Sequence, residues 1–114
     1  MKNFKKLIVW QLSMELALET NKIVSKLSKS ERFTYRDQII GSSISIPSNI
    51  AEGSSRKSRK NFKRFLRVSL GSCFELETQL LLLEQNEIVN PNFLKVALGL
   101  NEEVQKMLHT LLKK

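Results

Sequence analysis

The clearest pattern in this chain is a series of seven residues spaced alternately by four and three: Phe62, Leu66, Ser69, Cys73, Leu76, Leu80 and Leu83. Each step of an α-helix turns a side chain by about 100°, so this spacing lines all seven up on one stripe. A strand, with its period of two, would scatter them over both faces. A helix of this length cannot bury such a seam by itself, and other helices must cover it. Leu70, Phe74 and Leu81 add a second apolar edge, more than one partner helix needs.

Partners for that helix are present on both sides. Asn90-Pro91 supplies an N-cap and a proline at the first helical position. Phe93, Ala97, Leu100, Val104, Met107 and Leu111 then follow at the same 4,3 spacing. From Phe4 to Leu27, the residues Val9, Leu12, Leu16, Thr20, Ile23 and Leu27 form another stripe, widened by Trp10, Met14, Ala17 and Val24, and Ser28-Lys29-Ser30 is expected to end it. Thr34-Tyr35-Arg36-Asp37 reads as an N-cap with an acid at N3, which predicts a second helix from Tyr35 to Glu52.

That second helix is poor in large residues and contains Pro47, whose ring opposes the carbonyl of Ser43. A kinked continuous helix and a break near Ser45 are both open. Ile39, Ile46 and Ile50 keep helical register across the proline, as do Ile40, Ile44 and Ala51, which favours the kink. Gly53 is the expected stop, Ser54 to Lys57 a short polar turn, Ser58 the N-cap of the third helix, and Glu84 to Glu87 its end. Four helices, three short connections and no strand signal predict an all-α, antiparallel up-down-up-down four-helix bundle, a single domain over residues 1–114.

Charge is the second organising feature. The chain carries 19 Lys and Arg against 11 Asp and Glu, a formal charge of +8. Seven of those cations, Arg56, Lys57, Arg59, Lys60, Lys63, Arg64 and Arg67, lie between Gly53 and Val68 with no acid among them. Charge runs are usually solvated faces, but those normally interleave Glu with Lys one turn apart. Arg59, Lys63 and Arg67 instead fall on one line of the helix and Lys60 and Arg64 on the next. Cations crowded at a helix N-terminus also oppose the macrodipole, so stability does not account for them. Phosphate is the ligand class such a patch fits, and a pI near 9.9 points the same way. Phe62 and Phe65 sit in the apolar pattern and are expected in the core.

Other chemistry finds no support. His109 lies beside the fourth stripe and reads as a surface residue, and Cys73 as a small core residue. Glu75 and Glu77 are two apart and cannot share a helix face. Asn49 and Glu52 read as structural polar residues near the bend. No phosphate-binding glycine loop, zinc motif or activated nucleophile is visible, so the expectation is a protein that is not an enzyme and takes no cofactor. The N-terminal apolar run is broken by Gln11, Ser13, Glu15 and Glu19, unlike a signal peptide, and no stretch is long enough to span a membrane. With a single cysteine, a cytoplasmic location is expected.

Gln38-Ile39, SIPSNIAEGSSR (Ser45–Arg56) and FKRFLRVSLGSCFELETQL (Phe62–Leu80), together with Leu7 and Val9-Trp10, resemble the four-helix bundle proteins encoded in 23S rRNA intervening sequences. The resemblance covers nearly the whole chain. It departs at Thr34-Tyr35, where the family often has Gly-Leu. It implies a ring-like homopentamer and kinship with the accessory variability protein of diversity-generating retroelements, a basic pentamer that binds nucleic acid and a reverse transcriptase. The family's genomic setting favours RNA over DNA. The combined expectation is a non-enzymatic, oligomeric accessory protein whose patch from Arg56 to Arg67 contacts a phosphate backbone. The alternative is a structural adaptor that binds a protein partner through the bundle surface or the ring opening.

Overall fold

The computed structural model describes residues 3–114. A single 3-10 turn, Phe4–Lys6, leads into four helices: α1 (Ile8–Ser25), α2 (Lys29–Ser54), α3 (Arg59–Gln85) and α4 (Pro91–Lys113). α1 packs on α2, α2 on α3, α3 on α4, and α4 closes back onto α1. This is the antiparallel bundle expected from the spacing, 44 Å in its long dimension and about half that across.

The α3 stripe is buried as its spacing requires. Leu66, Cys73, Leu76, Leu80 and Leu83 are fully buried, as is Ser69, and Phe62 is half-buried at the end. From α1 the core takes Val9, Leu16, Ile23 and Val24, from the connection after it Leu27, and from α2 Ile39, Ile46 and Ile50. α4 departs from the expected register. Its buried line is Leu94, Ala97, Asn101, Val104 and Leu108, whereas Leu100, Met107 and Leu111 are half-buried and Phe93 is exposed. The reason is Asn101. Its amide donates to the Cys73 carbonyl at 3.1 Å, and its oxygen accepts from Gln105. Gln105 also donates to Glu77 on α3 at 2.7 Å. A satisfied polar residue therefore occupies a core position that the apolar spacing had excluded.

α2 starts earlier than Thr34. Ser28 caps it in a reciprocal box: the Glu31 N–H donates to the Ser28 hydroxyl at 3.3 Å and the Glu31 carboxylate accepts from the Ser28 N–H at 2.9 Å. Nothing between Ser28 and Thr34 breaks a helix, so each added residue gains a hydrogen bond and the earlier cap prevails. The Thr34 hydroxyl turns back to the Ser30 carbonyl instead. Across Pro47 the helix is continuous, as the register of the isoleucines favoured.

Small residues let α2 and α3 lie close together. The Ser42 hydroxyl donates to Gln79 at 2.7 Å, the Ser72 hydroxyl to Ser45 at 2.8 Å, and the Ser69 hydroxyl to the Ile46 carbonyl at 2.9 Å. Asn49 braces Ser45 from one turn on, at 2.8 and 2.9 Å. Gly53 is not the helix stop, because α2 continues to Ser54 and ends on a right-handed Ser55. Its role is packing. A Cβ there would come within 2.8 Å of the Phe65 Cβ, an atom whose position the α3 backbone sets.

Candidate nucleic-acid interface

The α2–α3 connection and the first turns of α3 carry all seven cations. Ser58 is extended and its hydroxyl accepts from the Asn61 N–H at 3.1 Å, a cap that starts α3 at Arg59. The inward turn of Leu66, Ser69 and Cys73 then fixes which side chains face water. Arg56, Lys57, Arg59, Lys60, Arg64 and Arg67 are exposed and Lys63 is half-buried.

All but Arg64 line two adjoining depressions. Arg59, Lys60, Lys63 and Arg67 alone line the first, about 300 Å³ in volume, with no acid in it. The line of Arg59, Lys63 and Arg67 expected from helical spacing is therefore present, and Lys60 joins it. The second, about 290 Å³, is lined by Arg56, Lys57, Arg59 and Lys114 with Ser54, Ser58, Phe62 and Leu111. Arg59 belongs to both.

Arg64 and Arg56 are engaged differently. Their guanidinium carbons lie 5.0 and 4.8 Å from the centre of the Phe65 ring, within range of cation–π attraction. Phe65 is thus half-buried, seated against Gly53 on one side and holding arginines on the other, rather than wholly in the core. Arg56 also lies 3.6 Å from Glu52, one residue outside the acid-free window, so it is the one patch cation with a carboxylate partner among the described residues. Lys114 is the addition that the sequence concealed. Only the antiparallel packing of α4 on α3 brings it beside Lys57.

The helix end adds its own partial positive charge to this cluster. Cations within about 8–10 Å of one another act on the same ligand before salt screens them, so a polyanion meets one field rather than separate charges. Guanidinium groups add forked donors suited to phosphate oxygens.

Elsewhere the chain offers little reactive chemistry. Burial, with Glu77 adding to it, pushes the Cys73 thiol up to about 12, so it stays protonated near neutrality. His109 is exposed, 6.5 Å from the Phe74 ring. Among the described residues no three His, Cys, Asp or Glu side chains gather as a metal site, and no helix is long and apolar enough to cross a membrane.

Fold and charge together define a small antiparallel four-helix bundle with one strongly basic end. The model of the 23S rRNA-intervening sequence protein family matches residues 5–110, and the chain belongs to that family. Among solved structures it is similar to a protein of unknown function from the S23 ribosomal protein family of Bacteroides thetaiotaomicron. The two are 27% identical over 94% of this chain and 100% of that one, with a TM-score of 0.87. Comparison with curated proteins gives no match.

Proposed function

We propose that the protein is a non-enzymatic accessory protein that binds the phosphate backbone of nucleic acid through Arg56, Lys57, Arg59, Lys60, Lys63, Arg64 and Arg67. The observation that carries this reading is the acid-free depression lined by Arg59, Lys60, Lys63 and Arg67. Backbone contacts position a protein without reading sequence, so recognition is by shape and charge. RNA is the favoured nucleic acid, in keeping with the family's intervening sequences in 23S rRNA.

Oligomerisation belongs to the same proposal. The groove between α1 and α2 is lined by Trp10, Met14, Ala17, Leu18, Ile44 and Pro47, and Leu18 and Ile44 are more than half exposed in the single chain. A ring of copies, five if the chain follows the resemblance, would cover such surfaces and repeat the basic end around the ring. Weak phosphate contacts would then add by multivalency. Leu18→Asp with Ile44→Asp is expected to yield a folded monomer by sedimentation, and an unchanged mass would remove that groove from the interface.

The direct test is a titration of fluorescent structured RNA and duplex DNA against the wild-type protein at two salt concentrations. Release of several counterions should weaken binding by roughly 10³-fold or more between about 50 and 200 mM salt. A well-formed oligomer that binds neither nucleic acid would leave the adaptor reading, in which the bundle surface or the ring opening holds a protein partner such as a reverse transcriptase.

A further inference from the structure

The first turns of α2 hold an aromatic ring almost wholly in solvent. Phe33 is 94% exposed, whereas the other exposed large apolar residues among those described range from 39% to 62%. From 28 to 38 only Glu31 and Tyr35 are even half-buried, so this end of α2 stands clear of the bundle. It is nonetheless held in place. The capping box closes its N-terminus, and one turn further on Asn86 of the α3–α4 connection donates to the Tyr35 hydroxyl at 3.4 Å.

Phe33 stands among cations. Lys29 and Arg36 lie four residues before and three after it, on the same helix face, and Arg32 adjoins it. None of the three makes an ion pair among the described residues. The Glu31 carboxylate is committed to the Ser28 N–H, which leaves Asp37 as the acid on this surface. The cap also occupies two of the helix N-terminal donors, the N–H groups of Ser28 and Glu31. The arrangement therefore favours a ligand with both a flat apolar surface and phosphates on either side of it. Burying a phenylalanine in the core would add about 1.5–3 kcal/mol, and at this position the fold gains almost none of that.

We propose that Phe33, flanked by Lys29, Arg32 and Arg36, is a stacking platform for an unpaired base in a single-stranded stretch of nucleic acid. Stacking on an aromatic ring accepts any base, and the neighbouring cations take the phosphates before and after it. A second copy of this chain presenting the same surface would instead bring like charges together. The platform is a site separate from the α3 patch, since Phe33 lies roughly 30 Å along α2 from Ser54. One RNA with a stem and a loop has the chemistry to engage both, the stem by its backbone and the loop by its bases. The inference rests on the nucleic-acid reading above and adds the kind of nucleic acid that this end accepts.

The test compares a 12-nucleotide oligouridine with a duplex RNA of the same length, each titrated against wild type, Phe33→Ala, Phe33→Leu and Phe33→Trp. Phe33→Ala and Phe33→Leu are expected to weaken oligouridine binding by roughly 5- to 100-fold while leaving the duplex within about twofold, and Phe33→Trp should retain it. Leucine separates stacking from apolar contact: full binding by Phe33→Leu would overturn the platform. So would oligouridine binding by Phe33→Ala equal to that of the wild type. A fall in oligomer mass in Phe33→Ala would instead make the residue a contact between copies and also overturn it. Duplex binding by the wild type is the separate readout for the α3 patch. If duplex binds and the Phe33 variants change nothing, this inference fails and the phosphate reading stands. If the wild type binds neither ligand, both fail.

Discussion

The two halves of α3 share one inner face and differ completely on the outer one. Leu66, Ser69, Cys73, Leu76, Leu80 and Leu83 continue the same buried stripe from end to end. On the outside, the stretch from Arg59 to Arg67 carries Arg59, Lys60, Lys63, Arg64 and Arg67 and no acid. The stretch from Val68 to Gln85 carries Glu75, Glu77 and Glu84 and no cation. A helix macrodipole favours the reverse arrangement, with acids in the first turn and cations in the last. α3 has no acid in its first turn and no base in its last. Its inner face answers to the fold, while its outer charge runs against what the helix alone would favour, a cost that the proposed phosphate binding would explain.

If that separation is right, changes on the inner face should alter stability without retuning affinity, and changes on the outer face should do the opposite. Leu76→Ala empties a fully buried site and should lower unfolding free energy by about 2–5 kcal/mol in urea melts, with RNA affinity of the folded fraction unchanged. Gly53→Ala acts where the two faces meet, because it presses on Phe65 beside the arginines. It should cost about 1–3 kcal/mol, since the contact atom cannot swing away. Asn101→Ala should cost about 1 kcal/mol by removing the donor to the Cys73 carbonyl. The smallest effect has the opposite sign: Lys60→Glu places an acid in the first turn of α3 and should raise stability by about 0.3–1 kcal/mol while weakening binding.

The buried thiol gives a pH dependence with a definite sign. Cys73 is held protonated in the folded protein up to about 12, whereas the unfolded chain loses that proton near the ordinary thiol value of 9.0. Its contribution is therefore complete below the ordinary value and is lost as pH rises from there toward 12. Cys73→Ala should flatten that part of the stability profile. A slope unchanged by the substitution would place its origin in other groups.

What could be read from the sequence follows from how each feature is encoded. The α3 stripe, its Ser58 cap and the Asn90-Pro91 start of α4 are local signals, and all three are present in the structure. The seven patch cations were legible because their charge is contiguous. The α4 register was not, because Asn101 is polar and its burial depends on the Cys73 carbonyl of another helix. The start of α2 was misplaced because SKSE and TYRD both fit a capping pattern and local sequence does not rank them. Gly53 resembled a stop until Phe65 was seen against it, and Lys114 joined the patch only through antiparallel packing. Phe33 belongs to none of the apolar stripes. Its exposure is a property of the assembled bundle.

The most direct measurement replaces Lys60, Lys63, Arg64 and Arg67 together with Glu and follows two quantities on the same preparation, thermal unfolding and binding of structured RNA. The expected result is a bundle at least as stable as the wild type whose RNA affinity has fallen by about a hundredfold or more. Wild-type affinity in that folded variant would contradict the assignment of the basic end as the phosphate-binding surface.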